Sequence, residues 1–343
     1  MLKQFGAKPS KTDLNRYARS ANWNGKHFEN LEPTTLEIGL NKLPQLLYKQ
    51  FFATEGRYPL HKLEVIPFDA EQFNSHPEKI KAVWYGHSVL LLRINGMNVL
   101  IDPMFGNNAA PISPFPIKRF SENTLQIIDS LPSIDLVLLS HDHYDHLDYH
   151  SIQKLKDKVS CYYVALGVAR HLEKWGIDAN KIIEFDWWDK HIFNKIGVTF
   201  TPTRHFSGRG LKDRAKSTWG GWVLETDVEK IWFSGDSGYG SHFKEIGARF
   251  GSFDFAFMEC GQYNEQWHQI HMYPEESVRA AIEVNAKNIM PVHWGGFALA
   301  QHTWTEPVER FVAEAEHTHV NYCLPQLGEI FELNHSSKIK WWQ

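Results

Sequence analysis

The chain has 343 residues, of which 43% are hydrophobic and 22% charged, a composition that excludes a largely disordered polymer. A formal net charge of -4 supplies no basic face, so nucleic acid is not an expected partner. Cys161, Cys260 and Cys323 are odd in number and far apart, which excludes a disulfide framework or a CxxC knuckle and points to reduced thiols. The N-terminus has no apolar signal core, and no run approaches the ~18 apolar residues of a membrane span, so a cytoplasmic location is expected.

In chain order, residues 1–60 read as a polar, irregular N-terminal extension packing on or near a catalytic unit. Within the extension, Leu46, Leu47, Phe51 and Phe52 of LPQLLYKQFF predict a short helical face, expected to cap a core rather than to touch a membrane. Residues 61–343 read as that single catalytic unit, because no Gly, Ser or Pro linker divides them. Short apolar runs recur there, each ending abruptly in a polar residue: MNVLID at Asp102, IDLVLLSH at His141, VTFTPTRH at His205, KIWFSGD at Asp236 and NIMPVH at His293. Strands ending in this way bring their loops to one rim of a sheet, where binding residues gather. Helices are predicted between them over HLDYHSIQKLKDK, over GVARHLEKWG with Gly176 as its stop, and over PEESVRAAIEVNA with Pro274 in the first turn. The mixed order suits a layered α/β sandwich better than one doubly wound sheet.

SHDHYDHLDY, residues 140–149, concentrates three histidines and three aspartates. His141 and His143 are two apart, so at a strand end both reach one ion. Tyr144 turns the chain, and Asp145 with His146 falls where a helix begins, re-aimed toward a second ion. Asp142, Asp145 and Asp148 would repel one another by roughly 2–3 kcal/mol per close pair at an effective dielectric of ~20, a cost that a divalent cation reverses. Imidazole and carboxylate without thiolate suit Zn²⁺, with Fe or Mn as substitutes. His205, in a segment with Ser207, Gly208 and Gly210, completes the first set with His141 and His143. His293 completes the second with Asp145 and His146, and Asp236 can bridge the two because each carboxylate oxygen binds an ion. Asp142, Asp148 and His150 are expected to support the ligands or to stand in solvent. GDSG also matches the nucleophile segment of trypsin-like serine proteases and would nominate Ser237. Tyr239 replaces a glycine of that signature, no matching histidine segment precedes it, and the pattern is not all-β, so Ser237 is set aside.

The spacing His141-x-His143-x-Asp145-His146, followed by His205, Asp236 and His293, resembles the signature of the metallo-β-lactamase superfamily. IDPMFG, LSHDHYDHLDYHS, IIEFDWWDK, FSGDSGYGSHFKEIGARFGSFDFAF, HMYPEESVRAA and PVHWGGFALA are similar to its N-acyl-phosphatidylethanolamine-hydrolysing phospholipase D branch, over about Val83 to Gln301. The resemblance implies an α/β, four-layer αβ/βα sandwich with two Zn²⁺ at its rim and Asp236 bridging them. It further implies that Asp145 and His271 are catalytic, that Tyr144 and His271 contact the phospholipid head group, and that the active chain is a homodimer in peripheral contact with a membrane. The implied reaction is attack of an activated water on phosphorus, giving phosphatidic acid and an N-acylethanolamine. A hydrolase of the same fold acting on a soluble ester, lactone or phosphodiester is the alternative. Trp187, Trp188, Trp219, Trp222 and Trp267 could line an acyl channel, although core packing is expected for most of them.

Overall fold

The computed structural model describes residues 3–35, 44, 48, 52–110, 116–210, 212–333 and 337–343. Leu46, Leu47 and Phe51 of the expected apolar face lie outside the described residues, and the described Phe52 is exposed. Six strands come first: β1 Lys81–Trp84, β2 Leu90–Ile94, β3 Met97–Ile101, β4 Ile134–Leu139, β5 Val159–Ala165 and β6 Ile182–Phe185. Seven more come after them: β7 Lys190–Phe193, β8 Ile196–Pro202, β9 Gly220–Glu225, β10 Lys230–Phe233, β11 Phe255–Glu259, β12 Asn288–Val292 and β13 Asn321–Tyr322. The last strand is β14, Ile330–Glu332. They form two seven-stranded sheets, one in the order β14-β1-β2-β3-β4-β5-β6 and the other in the order β13-β12-β11-β10-β9-β8-β7.

Each sheet is antiparallel on one side and parallel on the other. β1, β2 and β3 are joined as antiparallel neighbours, whereas β3 to β6 run parallel. β7 to β10 are antiparallel, and β10 to β13 parallel. The parallel strands are buried apolar runs such as MNVLI, IDLVLL and FAFME, as expected of strands covered on both faces. Helices flank the two sheets, which makes the architecture the αβ/βα sandwich expected from the sequence.

The three expected helices form, each shorter than its sequence pattern: Tyr149–Leu155, Ala169–Lys174 and Pro274–Glu283. Asp148 starts the first of them by accepting the Ser151 N–H at 2.8 Å, so its carboxylate serves as a helix cap. The sheets meet at their rim through backbone bonds. His87 N donates to Trp294 O at 2.8 Å, His293 N to His87 O at 2.9 Å, and Gly220 N to Ser140 O at 3.1 Å. Strand ends from both sheets are thereby held within reach of one another.

The described part of the N-terminal extension lies against this unit. Tyr17, Trp23 and Phe28 pack as a cluster of inclined rings, Phe28 N donates to Ala215 O at 2.9 Å, and Trp175 Nε1 donates to Lys3 O at 2.8 Å. Trp187, Trp219 and Trp222 are buried in the core, as expected for most of the tryptophans.

Candidate metal centre

At the rim the structure brings together all seven residues nominated as ligands. His141 Nε2 and His205 Nε2 lie 2.9 and 3.1 Å from His143 Nδ1. Beside this trio, His146 Nε2 and His293 Nε2 lie 3.5 and 3.4 Å from Asp145 Oδ2. One atom joins the groups: Asp236 Oδ2 is 3.8 and 3.9 Å from His141 and His205, and 3.1 and 3.2 Å from His146 and His293.

These distances fit metal ions. Four donors placed tetrahedrally at about 2.0–2.2 Å from Zn²⁺ are separated by about 3.3–3.5 Å, close to the spacings in the Asp145 group. The buried atoms His146 Nε2, His293 Nε2 and Asp236 Oδ1 have no hydrogen-bond partner. Unpartnered polar atoms are rare in a well-packed interior and call for a ligand.

The opposite ring edges agree. His205 Nδ1 is held by Ile270 O at 3.0 Å, His293 Nδ1 by Gly261 O at 3.3 Å, and His146 Nδ1 by Asp102 Oδ2 at 2.7 Å. His141 Nδ1 lies 3.0 Å from Ser140 Oγ, which donates to Asp102 Oδ2 at 2.6 Å. With Nδ1–H engaged in each ring, the Nε2 lone pair is left to face the cluster. Asp102 thus supports histidines of both groups, and it adopts a positive φ of 42° to do so.

Charge follows the same plan. Burial pushes the His141 imidazole well below its usual range, with His146 and His143 adding to the effect, and lowers His143 to about 4. Burial alone would raise Asp145 and Asp236, but the neighbouring histidines, His146 foremost, hold both well below the usual carboxylate range. Burial would likewise lower His293, yet Asp236 and Asp145 push it up to about 10. The carboxylates therefore draw positive charge to this spot, as they would a metal cation.

A cavity of about 270 Å³ opens over the cluster, lined by His143, Asp145, Asp236, His271 and His293 and walled by Phe206, Trp267, Ile270 and Leu299. His271 stands on the wall of this cavity. Tyr144 does not line this cavity: its hydroxyl donates to the Arg209 carbonyl, and its ring lies under the Arg209 guanidinium at 4.1 Å. Asp142 is buried, accepting from Gly208 N at 2.7 Å and Ser217 Oγ at 2.8 Å, with His171 Nε2 at 3.2 Å. His150 is exposed on the helix surface. Ser237 is buried, its Oγ 3.0 Å from His242 Nε2 and bonded to Gly238 O and Arg204 N, so the side chain is occupied within the turn.

Two residues not singled out from sequence belong to the site. His87 is fully buried with Nε2 2.8 Å from Asp145 Oδ2, and Glu259 contacts both His271 and Ser237. Both follow apolar strands, WYGHS after β1 and FAFMEC at the end of β11, so the pattern that nominated the other strand-end residues also contains them.

A two-sheet sandwich with histidines and aspartates collected from its strand ends is the fold of a metallo-hydrolase. The chain belongs to the beta-lactamase superfamily: the family model described as "Beta-lactamase superfamily domain" matches residues 97–294. It is 34% identical over 331 residues to the uncharacterized protein Rv0906 of Mycobacterium tuberculosis strain H37Rv, covering 95% of this chain and 88% of that one. It is 29% identical over 336 residues to N-acyl-phosphatidylethanolamine-hydrolyzing phospholipase D 1 of Caenorhabditis elegans, covering 90% and 93%. Among solved structures, a metallo hydrolase of the archaeon Ignicoccus hospitalis superimposes with a TM-score of 0.56 at 18% identity, over 74% of this chain and 98% of that one, a likeness of fold.

Proposed function

We propose that this metallo-β-lactamase-fold hydrolase is a two-zinc phosphodiesterase that cleaves N-acyl-phosphatidylethanolamines on the phospholipase D side, releasing phosphatidic acid and an N-acylethanolamine. The observation that carries the reading is Asp236 Oδ2 standing between two histidine groups beneath an open cavity. His141, His143 and His205 would hold one ion and Asp145, His146 and His293 the other, with Asp236 shared. Divalent ions held there supply Lewis acidity and a water of lowered pKa at neutral pH.

The chain's own residues complete the chemistry. Asp145 keeps its carboxylate ionised against burial and is steadied by His87. His271 has Nδ1 engaged by Glu259, which leaves Nε2 as an acceptor toward the head group of the substrate. The cavity is polar at the cluster and apolar at Phe206, Trp267, Ile270 and Leu299, a division that suits an amphipathic phosphodiester. Similarity along most of the chain to a protein named for N-acyl-phosphatidylethanolamine hydrolysis supports the same substrate class. Exposed Phe52 and Leu60 support contact with a lipid surface, and among the described residues no helix is long and apolar enough to cross a membrane.

Incubating the enzyme with a membrane lipid extract and identifying products by mass spectrometry tests the reading, since it names both the substrate class and the bond cut. N-acyl-phosphatidylethanolamine in mixed micelles should be turned over to the two stated products. Turnover confined to lactones or soluble nitrophenyl phosphodiesters would overturn the lipid assignment.

A further inference from the structure

Glu259 ends β11, a strand whose other residues are apolar, and its side chain is fully buried. A carboxyl group there is unfavourable unless both oxygens are engaged. Oε2 accepts the Ser237 N–H at 2.6 Å, and Oε1 is hydrogen-bonded to His271 Nδ1. The two oxygens thus face two parts of the site: Ser237 follows Asp236 in the chain, whereas His271 lines the cavity.

The segments that Glu259 joins also touch directly. Met272 N donates to Ser237 O at 3.0 Å, and a Cβ on Gly238 would fall 1.9 Å from Gln269 O, so the turn after Asp236 needs glycine to sit this close. His271 is otherwise located by ring contacts, stacked on His293 with centroids 5.2 Å apart and edge-on to His205 at 4.9 Å. Ring contacts are met equally by either orientation of a ring flipped about Cβ–Cγ, whereas a hydrogen bond at Nδ1 fixes which edge meets the cavity. Among the described residues, Glu259 is the hydrogen-bond partner of that ring.

We propose that Glu259 is a positioning residue for the phosphodiesterase site: it holds His271 by Nδ1–H so that the Nε2 edge faces the head group of bound substrate as an acceptor, and it ties that edge to the turn carrying Asp236. The inference rests on the functional reading above. The head group is then read by a carboxyl–imidazole pair rather than by His271 alone.

The test uses the metal-loaded 343-residue chain. Glu259→Gln keeps one acceptor oxygen and replaces the other with an NH₂ group, so it cannot serve Ser237 and His271 together. With N-acyl-phosphatidylethanolamine in mixed micelles, Glu259→Gln and His271→Ala should each lower kcat by about 10–100-fold, the scale seen for residues that orient functional groups. Metal per chain should stay at the wild-type value, and the double variant should be no slower than His271→Ala, a non-additivity that a merely structural role does not produce. In ¹⁵N-histidine NMR, His271 should show a bonded Nδ1–H that shifts in Glu259→Gln and vanishes in His271→Ala. Wild-type kcat in Glu259→Gln, additive losses in the double variant, or metal lost in step with activity would each overturn the proposal. Should Glu259→Gln fail to fold, the wild-type and His271→Ala spectra decide, and absence of the bonded Nδ1–H is the adverse result. A wild-type chain that cleaves no phosphodiester overturns the functional reading instead, and the NMR comparison then settles the Glu259–His271 pairing alone.

Discussion

The side-chain amide of Asn30 engages both backbone groups of His205: Nδ2 donates to the carbonyl at 2.8 Å, and Oδ1 accepts the N–H at 3.1 Å. The same Oδ1 accepts Trp219 Nε1 at 3.0 Å. A residue of the N-terminal extension therefore sets the backbone of a proposed ligand. Asn30→Ala would leave the two His205 backbone groups without this partner, while Trp219 Nε1 keeps Thr203 O at 3.1 Å; the expected cost is about 2–6 kcal/mol, given about 1–3 kcal/mol for each buried polar group left without a partner. Urea unfolding monitored by tryptophan fluorescence would show a lowered midpoint. Asn30→Asp, which keeps the acceptor and loses the donor, should fall between.

Asp102 takes the Ser140 N–H at 2.8 Å, the Ser140 hydroxyl at 2.6 Å and His146 Nδ1 at 2.7 Å. Asp102→Asn turns one of its two acceptor oxygens into a donor that faces another donor. Metal affinity should drop about 10–100-fold, the usual effect of losing such a support. Chelator competition with metal analysis of the recovered protein gives the number. Unchanged metal retention would contradict the assignment of Asp102 as the support of His146.

Much of this site is legible in the sequence because strand ends are visible there. Asp102, His141, His205, Asp236 and His293 each close an apolar run, and the two-residue spacing of His141 and His143 matches the way their nitrogens converge. His87 and Glu259 close apolar runs as well. Their importance emerges only when the sheets meet, because each acts through a residue distant in the chain, Asp145 and His271 respectively. Asn30 carries no local signal at all, being one polar residue in an irregular segment. Tyr144 shows the opposite limit. The family resemblance implies a head-group contact for it, whereas the direction of its hydroxyl is set by the Arg209 carbonyl, 65 positions away. Asp142 shares that motif, and its carboxylate is accounted for by His171, Gly208 and Ser217, none of them near it in the chain.

Removing metal should loosen the whole fold. The proposed ligands come from strands of both sheets, so ion binding favours the folded chain and counts toward its stability. At free metal about 100-fold above Kd, each site contributes about 2.7 kcal/mol. A chelator should accordingly lower Tm, and Zn²⁺ should restore it. An unchanged Tm would place the ions outside the packing of the two sheets.

Two histidines outside the proposed ligand set give an acid limit. Burial holds His242 down to about 3 and His302 down to about 4. His302 is further fixed as a neutral ring, with Nε2 accepting the Gln262 N–H at 2.9 Å and Nδ1 donating to Thr303 O at 2.8 Å. An unfolded histidine takes its proton near pH ~6.5, which the folded chain refuses. The contribution of these two residues is therefore complete above that pH. It declines as pH falls through the window toward about 4 for His302 and about 3 for His242, by about 1.4 kcal/mol per pH unit for each ring. Urea midpoints measured from about pH 8 to about pH 5 should fall accordingly, and His302→Gln should show a shallower fall than the wild type.

The last strand, β14, pairs antiparallel with β1, Lys81 opposite Glu332 and Val83 opposite Ile330. Its three residues contribute nothing to the metal cluster, yet they occupy the hydrogen-bonding side of a strand that would otherwise border the sheet. Trimming the chain before Ile330 would leave the Lys81–Val83 backbone open along that side, a template for a strand from another molecule. Such a trim would also remove Trp341 and Trp342, which pack on Trp294 beside His293, so self-association between chains would come together with a loosened rim.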